Sequence, residues 1–157
     1  MLKDDLLREL LTELLDYYQE LLVNTRNQAD LLETDAWEEL SKLLAAREEI
    51  IEKIDQLMVR LEPFKEELVA GYHLNEQEWL HDLKEKQALS PALESVIISL
   101  YQVRADNQII DRENRERLAK TRRVLHQEMT KLQTGIRVNK KYNKNNRIYS
   151  SFFDKRS

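Results

Sequence analysis

Glu78 and His81 stand three residues apart, a spacing that puts a carboxylate and an imidazole on one helix face and supplies half of the metal set in a di-iron carboxylate bundle. Such a site needs a second Glu-x-x-His, and the chain has none; its other histidines are His73 and His126. The pair therefore reads as part of a solvated polar face. No His-Glu-x-x-His segment is present, and no serine sits in a nucleophile elbow. Carboxylate pairs can be drawn almost anywhere among 29 acids, so no two stand out as general acid and base. With two glycines and no cysteine, neither a phosphate-cradling loop nor thiol chemistry can be built. These absences argue against an enzyme, and nothing in the chain asks for a metal or cofactor.

Other polar residues have binding potential. Arg47 interrupts an otherwise apolar helical seam and reads as an edge arginine that snorkels to solvent, in preference to an interhelical pair with an Asp or Glu. Asn107 and Asn114, seven apart, read as register-setting polar residues, or as a surface kept partly apolar for a partner helix. Residues 137–156 carry seven basic side chains against Asp154 alone, net +6, so with a formal charge of -4 overall the remainder stands at -10. The same tail holds Tyr142, Tyr149, Phe152 and Phe153, four of the eleven aromatics. Solvated linkers do not usually concentrate aromatics. A docking element is favoured over an RNA-binding one, because the acidic body would repel a phosphate backbone.

The elements that must position these residues are helical. Average usage would give roughly eleven Gly and eight Pro, whereas the chain has two of each, 26 leucines and 34% charged residues. The turns that sheets require are missing. Leu7, Leu11, Leu14, Tyr18, Leu21, Thr25, Gln28 and Leu32 step by four and three, predicting a first helix over about 2–32 whose stripe weakens between Asn24 and Gln28. Asp35 with Glu38 forms the pattern of a capping box. It opens a second helix over about 36–62 with the seam Trp37, Leu40, Leu44, Arg47, Ile51, Ile54, Met58 and Leu61, and Pro63 ends or kinks it. The short connection makes helices one and two antiparallel neighbours.

A broken connector follows, with short helices over 64–70, stopped by Gly71, and over 76–87, capped by Asn75 with Glu78. Ser90 and Pro91 are an N-cap and first-turn pair for a long helix over 91–134, ended by Gly135. Its seam turns polar at Arg104, Asn107, Asp111 and Asn114, so the helix either rotates there, using Val103 and Ile110, or stands clear of the bundle. The fold class is all-α: an elongated antiparallel bundle or coiled coil of three main helices over 1–136, followed by a flexible basic aromatic tail over 137–157. Acids interrupt Met1 to Leu22, so no signal peptide or membrane span is expected there, and a soluble cytoplasmic protein is the default.

Two segments resemble the bacterial flagellar export chaperones of the FliT and FlgN type. The first is LLETDAWEELSKLLAAREEIIEKIDQL, from Leu31 to Leu57. The second is NKKYNKNNRIYSSFFDKRS, from Asn139 to Ser157, similar to the tail of FliT-like proteins of Gram-positive bacteria in Tyr142, Phe152, Phe153, Asp154, Lys155 and Arg156. The long helix, with Asn107 and Asn114 in VRADNQIIDRENRERL, and the chain length look more like FlgN. The resemblance covers about half of the chain and leaves 63–90 unmatched. It implies a non-enzymatic cytoplasmic chaperone for a late flagellar subunit: the filament cap protein for FliT-like members, hook-filament junction proteins for FlgN-like ones. The partners it implies are that client and components of the export apparatus, with no nucleic acid and no membrane insertion, and a homodimer stays open.

On that reading the client surface is the exposed face of the long helix at Val103, Asn107, Ile110, Asn114 and Leu118. Tyr142, Tyr149, Phe152 and Phe153, with Asp154, Lys155 and Arg156, dock in or beside it when no client is bound. The main rival is a structural coiled-coil protein, self-associating through the Trp37 to Leu61 seam without a client. A third reading is an RNA-binding adaptor working through the tail.

Overall fold

In the computed structural model, which describes residues 2–138 and side-chain surroundings over 4–135, all regular structure is helical. The elements are α1 (Leu2–Leu32), α2 (Trp37–Tyr72), α3 (Trp79–Lys86) and α4 (Pro91–Val138). The predicted tail residues Tyr142, Tyr149, Phe152, Phe153, Asp154, Lys155 and Arg156 lie outside the described residues. The chain divides into two units, Met1–Asn114 and Arg115–Ser157.

The first unit holds one apolar core contributed by all four helices. Leu7, Leu10, Leu11, Leu14 and Leu21 of α1 pack with Ile54, Leu57 and Leu61 of α2, Trp79, Leu80 and Leu83 of α3, and Leu93, Ile97 and Leu100 of α4. Leu11 and Ile97 are fully buried, each stabilising by about 1.5–3 kcal/mol relative to exposure. Helices α1 and α2 run antiparallel. Asn24 Nδ2 donates to the Leu43 carbonyl at 2.9 Å, Lys53 lies over the Tyr17 ring, and Arg60 pairs with Glu13 at 3.8 Å, so one helix rises in number as the other falls. Helix α4 runs parallel to α1: Arg104 lies by Tyr18, and Asn107 and Asn114 both reach Thr25.

Several boundaries differ from those the sequence predicts. Helix α2 does not stop at Glu62 but continues through Pro63 to Tyr72, so no separate helix exists over 64–70. An interior proline costs about 3 kcal/mol, because it removes a donor and crowds the carbonyl four residues back. Here that carbonyl belongs to Val59, which is 73% exposed, so water can take up the orphaned acceptor. Phe64, Leu68 and Val69 meanwhile extend the buried face of Leu57 and Leu61 against the core, and their burial offsets the defect.

Gly71 is an ordinary helical residue rather than the stop. His73 takes the left-handed position (φ 54°, ψ 51°), and both its N–H and that of Leu74 bond the Val69 carbonyl. The His73 bond is that of an αL cap and the Leu74 bond is the longer one of a Schellman motif, and Leu74, 6% exposed, joins the apolar core. Asp35 is also left-handed (φ 55°), so it cannot act as N-cap; the residue before α2 is Ala36, which makes no side-chain cap, and the predicted capping box with Glu38 is absent. Asn75 does cap the turn before α3: its Oδ1 accepts from the N–H groups of Gln77 (2.8 Å) and Glu78 (3.4 Å). The reciprocal acceptor is Asp82, which takes the Asn75 N–H at 2.8 Å, and α3 begins at Trp79 rather than 76.

Ser90 caps α4 as read, its Oγ accepting from the Leu93 N–H at 3.3 Å. Helix α4 then runs unbroken through the polar stretch 104–117 and past Gly135 to Val138. Within the first unit, up to Asn114, it neither rotates nor stands clear of the other helices. The polar seam stays in register, with Asn107 8% and Asn114 5% exposed.

Candidate partner-binding site

Two places in the first unit concentrate polar groups. The first is a buried layer where the weakened seam of α1 meets the polar seam of α4. The Thr25 hydroxyl lies 2.7 Å from Asn107 Oδ1 and 2.8 Å from the Leu21 carbonyl, and its one proton serves one of them at a time. Asn114 Nδ2 donates to the Thr25 carbonyl at 2.9 Å, and Gln28 Nε2 to Asn24 Oδ1 at 2.7 Å. Arg47 closes the layer from α2 by an ion pair with Asp111 at 3.3 Å. The side chains of Arg47 and Asp111 are only 19% and 17% exposed, so the pairing reading of Arg47 replaces the snorkelling one. Buried polar groups bonded across helices fix which residues face each other, and here, among the described residues, only the buried Asn114 Oδ1 and Arg47 Nε are left without a hydrogen-bond partner. The layer sets register.

That geometry also corrects the sequence-level client surface. Asn107 and Asn114 are buried between helices and cannot belong to an exposed face; Val103 and Ile110 are half-buried. Leu118, also half-buried, belongs to the second unit. Within the first unit, the exposed large apolar residues of α4 are Ile98 and Ile109, 51% and 54% exposed.

The second place is a cleft of about 380 Å³, within the size range of small-molecule and side-chain pockets. Its floor is buried and apolar: Leu14 of α1, Leu61 of α2, Trp79 and Leu80 of α3, and Leu100 of α4. Tyr18 and Tyr101 form the walls, and Met58, 45% exposed, stands at the mouth. Glu62, Lys65, Glu76 and Arg104 supply charge around it. The Arg104 guanidinium lies 5.9 Å from the ring centroids of both Tyr18 and Tyr101, contacts worth about 0.5–1 kcal/mol each at exposed sites. Tyr101 is itself held: its hydroxyl oxygen accepts from the His81 N–H at 3.2 Å, and the His81 ring meets it edge-on at 5.8 Å.

In the sequence Leu14, Tyr18, Met58 and Leu61 fall in helical seams and Trp79 in the connector, and no local pattern shows that they converge. The one local sign was a tryptophan in a stretch otherwise read as a linker. Glu78 and His81 do not act together: His81 faces Tyr101 and lies 4.0 Å from Glu85. Among the described residues no three His, Cys, Asp or Glu side chains are grouped to hold a metal ion, and no helix is long and apolar enough to cross a membrane.

On Asp82 the Asn75 N–H holds the carboxyl below its ordinary range, opposed by desolvation and aided by the Lys86 ammonium at 3.6 Å. The Lys86 Nζ also donates to the His73 carbonyl at 2.9 Å, so this network staples the end of α2 to α3 and holds the cleft's Trp79 and Leu80 in place.

Comparison with protein-family models, with curated proteins and with solved structures finds no match.

Proposed function

We propose that this chain is a non-enzymatic helical chaperone that binds an amphipathic helix of a protein client, one of whose apolar side chains enters the cleft at Trp79. The client is a late flagellar subunit, the filament cap protein or a hook-filament junction protein, held in the cytoplasm before type III export. The client class rests on the resemblance of Leu31 to Leu57 and Asn139 to Ser157 to flagellar export chaperones. The binding mode rests on one observation: a cleft with a buried apolar floor, aromatic walls and a charged mouth. A helix laid in a groove is recognised by apolar anchors spaced three, four and seven residues apart, and Trp, Tyr and Arg, all present in this cleft, are the side chains that most often dominate protein interfaces.

The experiment is isothermal titration of the full chain with the filament cap protein and each hook-filament junction protein encoded in the same genome. One of them should bind at micromolar affinity or better. Tyr18→Ser and Arg104→Glu should each weaken binding about tenfold while the helical circular dichroism is unchanged. Absence of binding to all of them sinks the client assignment. Binding that ignores both substitutions removes the cleft as the site.

A further inference from the structure

Two heptad-spaced stripes of opposite charge keep apolar side chains exposed on α2 and α4. On α2, Leu44, Ile51 and Met58 follow at seven-residue intervals, and Glu48, Asp55 and Glu62 follow at the same interval beside them. Sequence periodicity assigns this line to the core seam, but Leu44 and Met58 are 42% and 45% exposed, and only the half-buried Ile51 between them packs against the core. The core is built instead from Leu40, Ile54, Leu57 and Leu61. On α4, in the second unit, Leu118, Leu125 and Leu132 also follow at seven-residue intervals; Leu125 is 36% and Leu132 47% exposed. Basic residues surround that stripe. Residues 115–138 carry seven basic and two acidic side chains, and Arg122 lies one helical turn from both Leu118 and Leu125.

The boundary between the two units is also the point of charge reversal. Residues 1–114 hold 12 basic and 26 acidic side chains, net -14, and residues 115–157 hold 13 basic and 3 acidic, net +10. The structure thus moves the reversal from residue 137 to Arg115 and sharpens it.

We propose that a second copy of this chain covers these stripes: the basic α4 stripe of each copy packs on the acidic α2 stripe of the other in a twofold dimer. Apolar side chains at a common seven-residue interval interlock along two helices, and flanking charges of opposite sign select the pairing. A twofold arrangement makes the contact twice from one pair of surfaces. Pairing α2 with α2 instead sets Glu48, Asp55 and Glu62 against like charge, and α4 with α4 does the same with arginines. Only the mixed pairing satisfies both stripes.

Sedimentation velocity of the full chain between about 5 and 200 µM, at 50 and 500 mM NaCl, tests this. A dimer should form with rising concentration at low salt and weaken at least tenfold at high salt. Leu125→Glu with Leu132→Glu, and separately Leu44→Glu, should leave a monomer of unchanged helicity. Arg122→Glu and Glu48→Arg should each weaken the dimer, and mixing the two variants should restore it, because both contacts of the mixed dimer again set opposite charges together. A monomer at 200 µM and 50 mM NaCl overturns the proposal. So does a dimer that is indifferent to salt or to the α4 substitutions, and so does binding of the 115–157 region to 3:1 phosphatidylcholine:phosphatidylglycerol vesicles or single-stranded RNA without self-association.

Discussion

The Arg47 guanidinium meets the Asp111 carboxylate at 3.3 Å, tying α2 to α4 at the level where α1 contributes Asn24, Thr25 and Gln28 to the same buried layer. Breaking a pair at this depth costs more than its Coulomb energy, because the surviving charge loses its partner while still desolvated. The Arg47 Nε already has no acceptor, so its position is sensitive. Asp111→Leu alone should lower the urea-unfolding free energy by about 1–3 kcal/mol, a range reduced from fully buried pairs because both side chains keep some exposure. Arg47→Met with Asp111→Leu should return to within about 1 kcal/mol of the parent. A double variant no better than the single one would show that the layer depends on the charges themselves.

Thr25 and Asn107 should respond unequally. Thr25→Val removes the hydroxyl that faces Asn107 Oδ1 and leaves that amide without its cross-helix partner, costing about 1–3 kcal/mol. Asn107→Leu leaves the Thr25 hydroxyl its Leu21 carbonyl at 2.8 Å, so the loss should stay under about 1 kcal/mol. Chemical denaturation of the two single variants distinguishes them; equal losses would contradict the assignment of partners.

The end of α2 offers two opposite substitutions. His73 is left-handed, a conformation that costs an L-residue about 1–2 kcal/mol and glycine nothing. Gly71 is helical, and a methyl group there would meet nothing within 4 Å. His73→Gly and Gly71→Ala should each stabilise by about 0.5–1 kcal/mol, a rise of roughly 1–4 °C in Tm. The Lys86 bond to the His73 carbonyl is a backbone contact and survives the first change. Were Gly71 the true stop, Gly71→Ala would lower Tm instead.

Acid should release the Asp82 network. A carboxyl whose folded-state pKa lies below its ordinary value of about 3.9 adds stability that is complete above that value and disappears as the pH falls through the lower, folded one. The stability difference between the parent and Asp82→Asn should therefore be constant from about pH 5 to 8 and close below about pH 4. Unfolding curves across that range measure it. A gap that persists at pH 2.5 would mean that Asp82 acts through its shape and not its charge.

Much of α1 was legible from the chain alone. Leu7, Leu11, Leu14, Leu21, Thr25 and Gln28 repeat at four and three residues, and all are buried. Ser90 could be recognised as a cap because an N-cap depends on backbone donors within three residues. The cleft could not be recognised, since Leu14, Met58, Trp79 and Leu100 come from four helices and no local pattern links them. Pro63 misled for a related reason. Its cost is local and readable, whereas the burial of Phe64, Leu68 and Val69 that offsets it depends on α1 and α3.

Composition and period by themselves determined that this protein is all-helical and which residues share a helix face, because turn supply and the 3.6-residue repeat are properties of the chain. Tertiary structure alone decided what covers each face. The same heptad spacing left Leu44 and Met58 exposed on α2 and placed Asn107 and Asn114 inside, against Thr25. A periodic pattern records that side chains lie side by side; whether a neighbouring helix, a partner or water meets them depends on packing between segments far apart in sequence.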